Sequence, residues 1–108
     1  TARKESAYWA RFEEAGGAFW RFDTRIYGRP RERLRRGDRP IGCIVGKNPG
    51  SALPESPTGE LEALALSGDR FLPTVRAIVA KSFEANGSTW PDGGYVQVLN
   101  LFYLCIGT

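Results

Sequence analysis

The 108-residue chain contains no histidine. That removes Ser-His-Asp and Cys-His nucleophile pairs from the chemistry it can supply, along with the usual zinc-ligand sets. Methionine is also absent, even at the first position, and the final residues read as a strand with nothing after it. The chain is therefore expected to be a piece of a longer domain, cut on its C-terminal side. No apolar run approaches the roughly 20 residues needed to cross a bilayer, and Thr1-Ala2-Arg3-Lys4-Glu5 has no signal-peptide pattern. Cysteine is sparse. Cys43 and Cys105 both lie in apolar, strand-like segments, where buried free thiols are expected. A disulfide needs an oxidising compartment that no other feature implies, so a cytoplasmic protein with no membrane contact is expected.

What is present is ordinary globular material. Apolar residues make up 42 % and charged residues 25 %, which excludes disorder for most of the chain. The length allows one domain, residues 1–108. Charge is unevenly placed: residues 21 to 39 carry eight arginines against three acids, a net +5, while the rest of the chain sums to −2. Guanidinium groups bind phosphate oxygens bidentately and release condensed counterions, so Arg33, Arg35 and Arg36 are candidate nucleic-acid contacts. The alternative is a solvated loop whose charges confer solubility.

Hydrophobic periodicity predicts the elements. Residues 4–15 read as a helix, with Ala7, Tyr8, Arg11 and Phe12 at helical spacing and Gly16-Gly17 as its stop. Residues 18–27 are aromatic and partly alternating, which suits a strand. Ile41-Gly42-Cys43-Ile44-Val45 suits a parallel strand buried on both faces. Thr58 is a candidate cap for a short helix through Leu66, and Asp69 for a longer one to about Ala85. In the longer helix Leu72, Val75, Val79 and Phe83 share a face. Residues 95–104 return as a strand. The expected fold class is α/β: a three-layer-like parallel sheet core built strand–loop–helix–strand, with an N-terminal helix and an extra strand. In such sheets ligands bind beyond the carboxyl ends of the strands, where Gly46 to Ala52 and Asn100 to Tyr103 would both fall.

The loop after the first core strand carries the chemistry. Gly42-x-x-x-Gly46-Lys47 is one residue short of a phosphate-binding P-loop, and Asn48 stands where a magnesium-binding Ser or Thr is required. In Gly46-Lys47-Asn48-Pro49-Gly50, Pro49 forces Asn48 towards an extended conformation that can aim its amide into a cleft. Flanking glycines let the main chain approach a ligand. The other reading is that Asn-Pro-Gly only turns the chain.

Val45-Gly46-Lys47-Asn48-Pro49-Gly50 resembles the Gly-x-Asn-Pro-Gly motif of the uracil-DNA glycosylase superfamily, mismatch-specific branch. Val98-Leu99-Asn100-Leu101-Phe102 is similar to the superfamily strand that ends in a base-reading asparagine. Asn48-Pro49-Gly50-Ser51-Ala52 with Asn100-Leu101-Phe102 resembles, more closely, the family called domain of unknown function 1643. The likeness spans residues 18–106. It implies hydrolysis of an N-glycosidic bond on a flipped base, with Asn48 holding the attacking water. Gly46, Pro49, Gly50, Ser51, Asn100 and Phe102 would bind the substrate, Asn100 by its amide and Phe102 by stacking. Lys47 departs from the glycosylase motif, which has an apolar residue there. No metal or cofactor is implied, and the partners would be DNA or a nucleotide. The rival readings are a non-catalytic module that binds a nucleotide or partner at the same edge, and a structural domain. Convergent, partly open Asn48 and Asn100 side chains separate the first two from the third.

Overall fold

The computed structural model describes residues 5–46, 59–64 and 70–100. Strand accounts for 53 % of these and helix for 19 %. The elements are β1 (Ser6–Ala15), β2 (Ala18–Arg31), β3 (Arg39–Gly46), β4 (Leu61–Ala63), α1 (Phe71–Ala85) and β5 (Gly94–Asn100). They form one five-stranded sheet in the order β3-β5-β2-β1-β4. Only β3 and β5 run parallel; every other neighbouring pair is antiparallel. The expected parallel three-layer α/β core is therefore replaced by a mixed, mostly antiparallel sheet with one helix.

The largest departure is at the start. Residues 6–15 form β1, not a helix, because Gly16 and Gly17 both take positive φ (61° and 78°). Two such residues make the tight turn whose twist matches a hairpin, and Ala15 pairs directly with Ala18. β1 then alternates with period two. Tyr8, Ala10 and Phe12 join the main core, while Trp9 packs with Tyr27 and Tyr95 on the opposite face. The short helix expected from Thr58 to Leu66 is likewise displaced where it is described: Leu61–Ala63 is β4, paired with Trp9–Arg11.

The crossover from β3 through α1 to β5 holds as the apolar runs require. Leu72 is fully buried, and Val75 and Val79 pack on the cluster formed by Phe12, Ile26, Val96 and Val98. Phe83, the last of that stripe, lies 5.8 Å from the Trp90 ring. Mid-helix, the Arg76 guanidinium donates to the carbonyls of Tyr27 and Gly28 at 3.0 and 2.6 Å, pinning α1 to β2. β3 is not the doubly buried strand that its composition suggests. Among the described residues it pairs only with β5, leaving Val45 64 % exposed and Cys43 exposed rather than buried. Cys105 lies outside the described residues.

β2 is bent twice by extra residues. Trp9 pairs with Arg25 and Arg11 with Phe22, so β2 holds one residue more than β1 around Asp23, whose φ is +49°. This is a β-bulge. Further along, β2 takes five residue steps from Ile26 to Arg31 where β1 takes two from Ser6 to Tyr8. Gly28, Arg29 and Pro30 therefore bow out of the ladder. No helix among the described residues is long and apolar enough to cross a membrane.

Candidate nucleic-acid interface

The bow in β2 and the chain that follows it build a groove at the amino ends of β3 and β5. Its volume is about 550 Å³, and its lining includes Arg29, Arg31, Arg33, Arg35, Trp90 and Pro91 together with the acids Glu32 and Asp92. Trp90 forms one wall. Its indole lies flat on Gly28, where a Cβ would fall 2.6 Å from the ring, and its Nε1–H donates to the Gly94 carbonyl at 2.7 Å. Only glycine fits at position 28.

Asp38 organises the basic segment. Its carboxylate accepts hydrogen bonds from Arg31 Nη1 at 2.9 Å, the Arg35 backbone N–H at 2.9 Å and the Tyr27 hydroxyl at 3.0 Å. Burial alone would raise the Asp38 carboxyl, but those three donors outweigh it and hold the group below its ordinary value. Burial, assisted by the Asp38 charge against the lowering effect of Arg25, pushes the Tyr27 phenol up to about 12. Gly93, at φ +77°, lets the turn before β5 pass beside this carboxylate; a Cβ there would meet Asp38 Oδ1 at 2.9 Å. Leu34 folds from the same segment onto the Trp9–Tyr27–Tyr95 cluster. The arginine segment is thus anchored by one buried carboxylate and one apolar side chain.

The eight arginines have different fates. Arg21 is buried at 2 % exposure. Arg25 pairs with Asp23 at 3.0 Å and lies 4.4 Å over the Tyr95 ring. Burial lowers its pKa, but Asp23 and Tyr27 more than reverse this, and the net shift is upward. Arg31 is held by Asp38 and lies 4.8 Å from the Tyr27 ring. Arg35 has only a 3.7 Å contact with the exposed Asp92, a pair worth little in water. Among the described residues, Arg29, Arg33 and Arg36 have no carboxylate within ion-pair distance. Of the predicted nucleic-acid contacts, Arg33 and Arg35 line the groove, while Arg36 is exposed beside it. Arg29 and Arg31, which belong to the same segment expected to grip phosphates, line the groove as well; what the sequence did not show is that Gly28-Arg29-Pro30 breaks the β2 ladder to make it.

The predicted substrate edge lies at the other end of the sheet. Gly46 and Asn100 are register partners across the parallel pair, and a Cβ on Gly46 would stand 2.8 Å from Asn100 Oδ1. Asn100 is buried, at 7 % exposure. Asn48, Pro49, Gly50, Ser51 and Phe102 lie outside the described residues. β5 separates the two ends by roughly 20 Å at about 3.3 Å per residue, so the arginines and Asn100 do not share one pocket. Two polar residues of the Asn100 end went unrecognised, Arg21 and Thr24. Both face α1, Arg21 opposite Phe12 and Thr24 opposite Val98.

Fold and site together define a small, mostly β module with an arginine-lined groove at one end of its sheet and a buried amide at the other. No family model matches the chain, and no curated protein and no solved structure is significantly similar to it.

Proposed function

We propose that this protein binds a nucleic-acid strand by its phosphates, with the backbone lying in the arginine-lined groove. The observation that carries this reading is Arg29, Arg31, Arg33 and Arg35 on one concave surface. The Asp38 ion pair fixes Arg31, and Arg29 and Arg33 stand without an acidic partner among the described residues. A pre-positioned guanidinium loses less freedom on binding than a mobile one. Its exposed neighbours supply the counterion-releasing contacts of strand binding. The groove volume falls within the range of about 300 to 1,000 Å³ typical of ligand sites.

The narrower reading is hydrolysis of an N-glycosidic bond, with the domain of unknown function 1643 and the mismatch-specific glycosylases as the resembling families. What favours it is the adjacency of Gly46 and Asn100 at the carboxyl ends of β3 and β5. The parallel three-layer core no longer supports it.

Fluorescence anisotropy with labelled single- and double-stranded oligonucleotides, titrated with salt, tests the binding reading. The triple variant Arg29→Ala, Arg33→Ala, Arg35→Ala should weaken binding and flatten the plot of log affinity against log salt. Each lost contact should remove about 0.7 to 0.9 of a slope unit. Equal affinity and slope in variant and wild type would return the segment to a solvated loop.

A further inference from the structure

The groove is not uniformly basic. Its lining sets Glu32 and Asp92 among Arg29, Arg31, Arg33 and Arg35. The two acids come from different parts of the chain: Glu32 follows the end of β2, and Asp92 lies in the turn before β5. That turn is held by its backbone. The Gly94 N–H donates to the Pro91 carbonyl at 3.0 Å, and the Arg39 N–H donates to the Gly93 carbonyl at 3.0 Å.

Neither acid is engaged within the protein as Asp38 is. Glu32 is exposed and has no cation within ion-pair distance among the described residues. Asp92 meets only Arg35, at 3.7 Å, with the two side chains 89 % and 71 % exposed. Water competes effectively for such a contact. The cavity therefore offers open carboxylate acceptors beside open guanidinium donors. A ligand made of phosphate alone is repelled by the first set. One that satisfies both carries phosphates and hydrogen-bond donors side by side.

Nucleic-acid bases supply such donors on the amino groups of cytosine, adenine and guanine, and carboxylates accept from cytosine N4. Uracil and thymine turn carbonyl oxygens to either side of a single N–H, which a carboxylate repels. In a duplex these edges are paired or lie on the floor of a groove, and what projects into a concave site is phosphate. An unpaired strand brings phosphate and a free base edge into one cavity of about 550 Å³. Stacking on Trp90 is not the means of recognition. Gly28 lies on that ring, its Nε1–H is bonded to Gly94, and the Phe83 ring stands 5.8 Å away.

We propose that the groove takes single-stranded nucleic acid and prefers bases that carry an amino group. Glu32 and Asp92 accept from the base edge while Arg29 and Arg33 hold the flanking phosphates. This rests on the strand-binding reading and narrows it to a substrate class.

The test is fluorescence anisotropy with oligodeoxycytidine and oligodeoxyuridine of equal length. They carry the same phosphates and differ only at the N3–C4 edge of the base, and mildly alkaline buffer keeps cytosine unprotonated. Oligodeoxycytidine should bind about fivefold tighter or more, and tighter than a hairpin duplex with the same number of phosphates. Glu32→Gln combined with Asp92→Asn removes two charges at exposed positions and should leave melting unchanged. It should tighten oligodeoxyuridine binding and bring the two affinities together, with either single variant giving part of the effect. Deoxycytidine monophosphate should compete only at far higher concentration than the strand. Equal affinities in wild type, duplex binding as tight as oligodeoxycytidine, or a ratio unchanged in the double variant overturns the proposal. Displacement of the strand by an equal concentration of the monophosphate also overturns it and assigns the groove to a free nucleotide. Equal affinities that still fall with salt, and with Arg29→Ala, Arg33→Ala, Arg35→Ala, overturn the base preference and leave phosphate binding standing. No binding of any oligonucleotide overturns both.

Discussion

Arg31 and Asp38 are joined by a 2.9 Å ion pair whose carboxylate side chain is only 3 % exposed. The same carboxylate binds the Arg35 backbone, so the turn between β2 and β3 is tied to a single acidic group. Removing one partner of a buried pair strands the other, at about 3 kcal/mol or more. Asp38→Ala should lower the melting temperature by roughly 15 °C for a chain of this size. It should also weaken oligonucleotide binding severalfold, although deleting an acid beside a basic groove would by charge alone strengthen it. Tighter binding by the variant would show that Asp38 does not position the arginines.

Acid titration reads the same group. Folded Asp38 holds its proton less tightly than the unfolded chain does. Its contribution is therefore complete above the ordinary aspartate value of about 3.9 and is lost as pH falls through the depressed folded value. Melting temperatures across the acid range should fall more steeply for wild type than for Asp38→Asn. Parallel curves would remove Asp38 as the source.

At alkaline pH the relevant group is Tyr27. Its phenol is raised from 10.0 to about 12, so the folded state keeps the proton that the unfolded state releases. The stability it contributes is full below pH 10 and disappears as pH rises through about 12. Phenolate absorbance should show one tyrosine titrating late, and Tyr27→Phe should abolish that late phase. A late phase surviving in the variant would assign it to another tyrosine.

Gly28→Ala tests the groove wall. The added methyl would sit 2.6 Å from the Trp90 ring, so either the indole or the β2 bow must move. Overpacking of this kind costs about 1 to 3 kcal/mol. Chemical denaturation should show that loss, and the intrinsic fluorescence of the folded state should shift as Trp90 leaves its place. An unchanged spectrum and midpoint would mean that the wall is not rigid.

How far the fold was legible depends on which signals had a single reading. The Leu72–Val75–Val79 stripe and the apolar runs of β3 and β5 each match one period, and all three elements form with the expected parallel pairing. Residues 6–15 fit two periods at once. Tyr8 and Phe12 are four apart as on a helix, yet they also alternate with Trp9 and Arg11 as on a strand. Gly16-Gly17 serves equally as a helix stop and as a hairpin turn, so pairing with β2 decides the outcome. The place of Gly46 and Asn100 at adjoining strand ends was readable because the strands that carry them were. Arg21 was not: counted among the charges of a solvated segment, it is buried because of a bulge that no local pattern marks.

That bulge works as a phase shifter in the face code of β2. Below it, Arg21 points under α1 while Phe22 lies outside against Arg11; above it, Thr24 and Ile26 point in and Arg25 points out. Phe22 and Asp23 face outward in succession, and that repeat exchanges the inside and outside roles of everything before it. Run through the same residues without the bulge, strict alternation from Thr24 would carry Phe22 inward to a place now held by a guanidinium, and Arg21 outward to water; deleting Asp23 would instead keep both on their present faces. The polar character of the Asn100 end thus rests on where the ladder takes up one extra residue, not only on which residues are there.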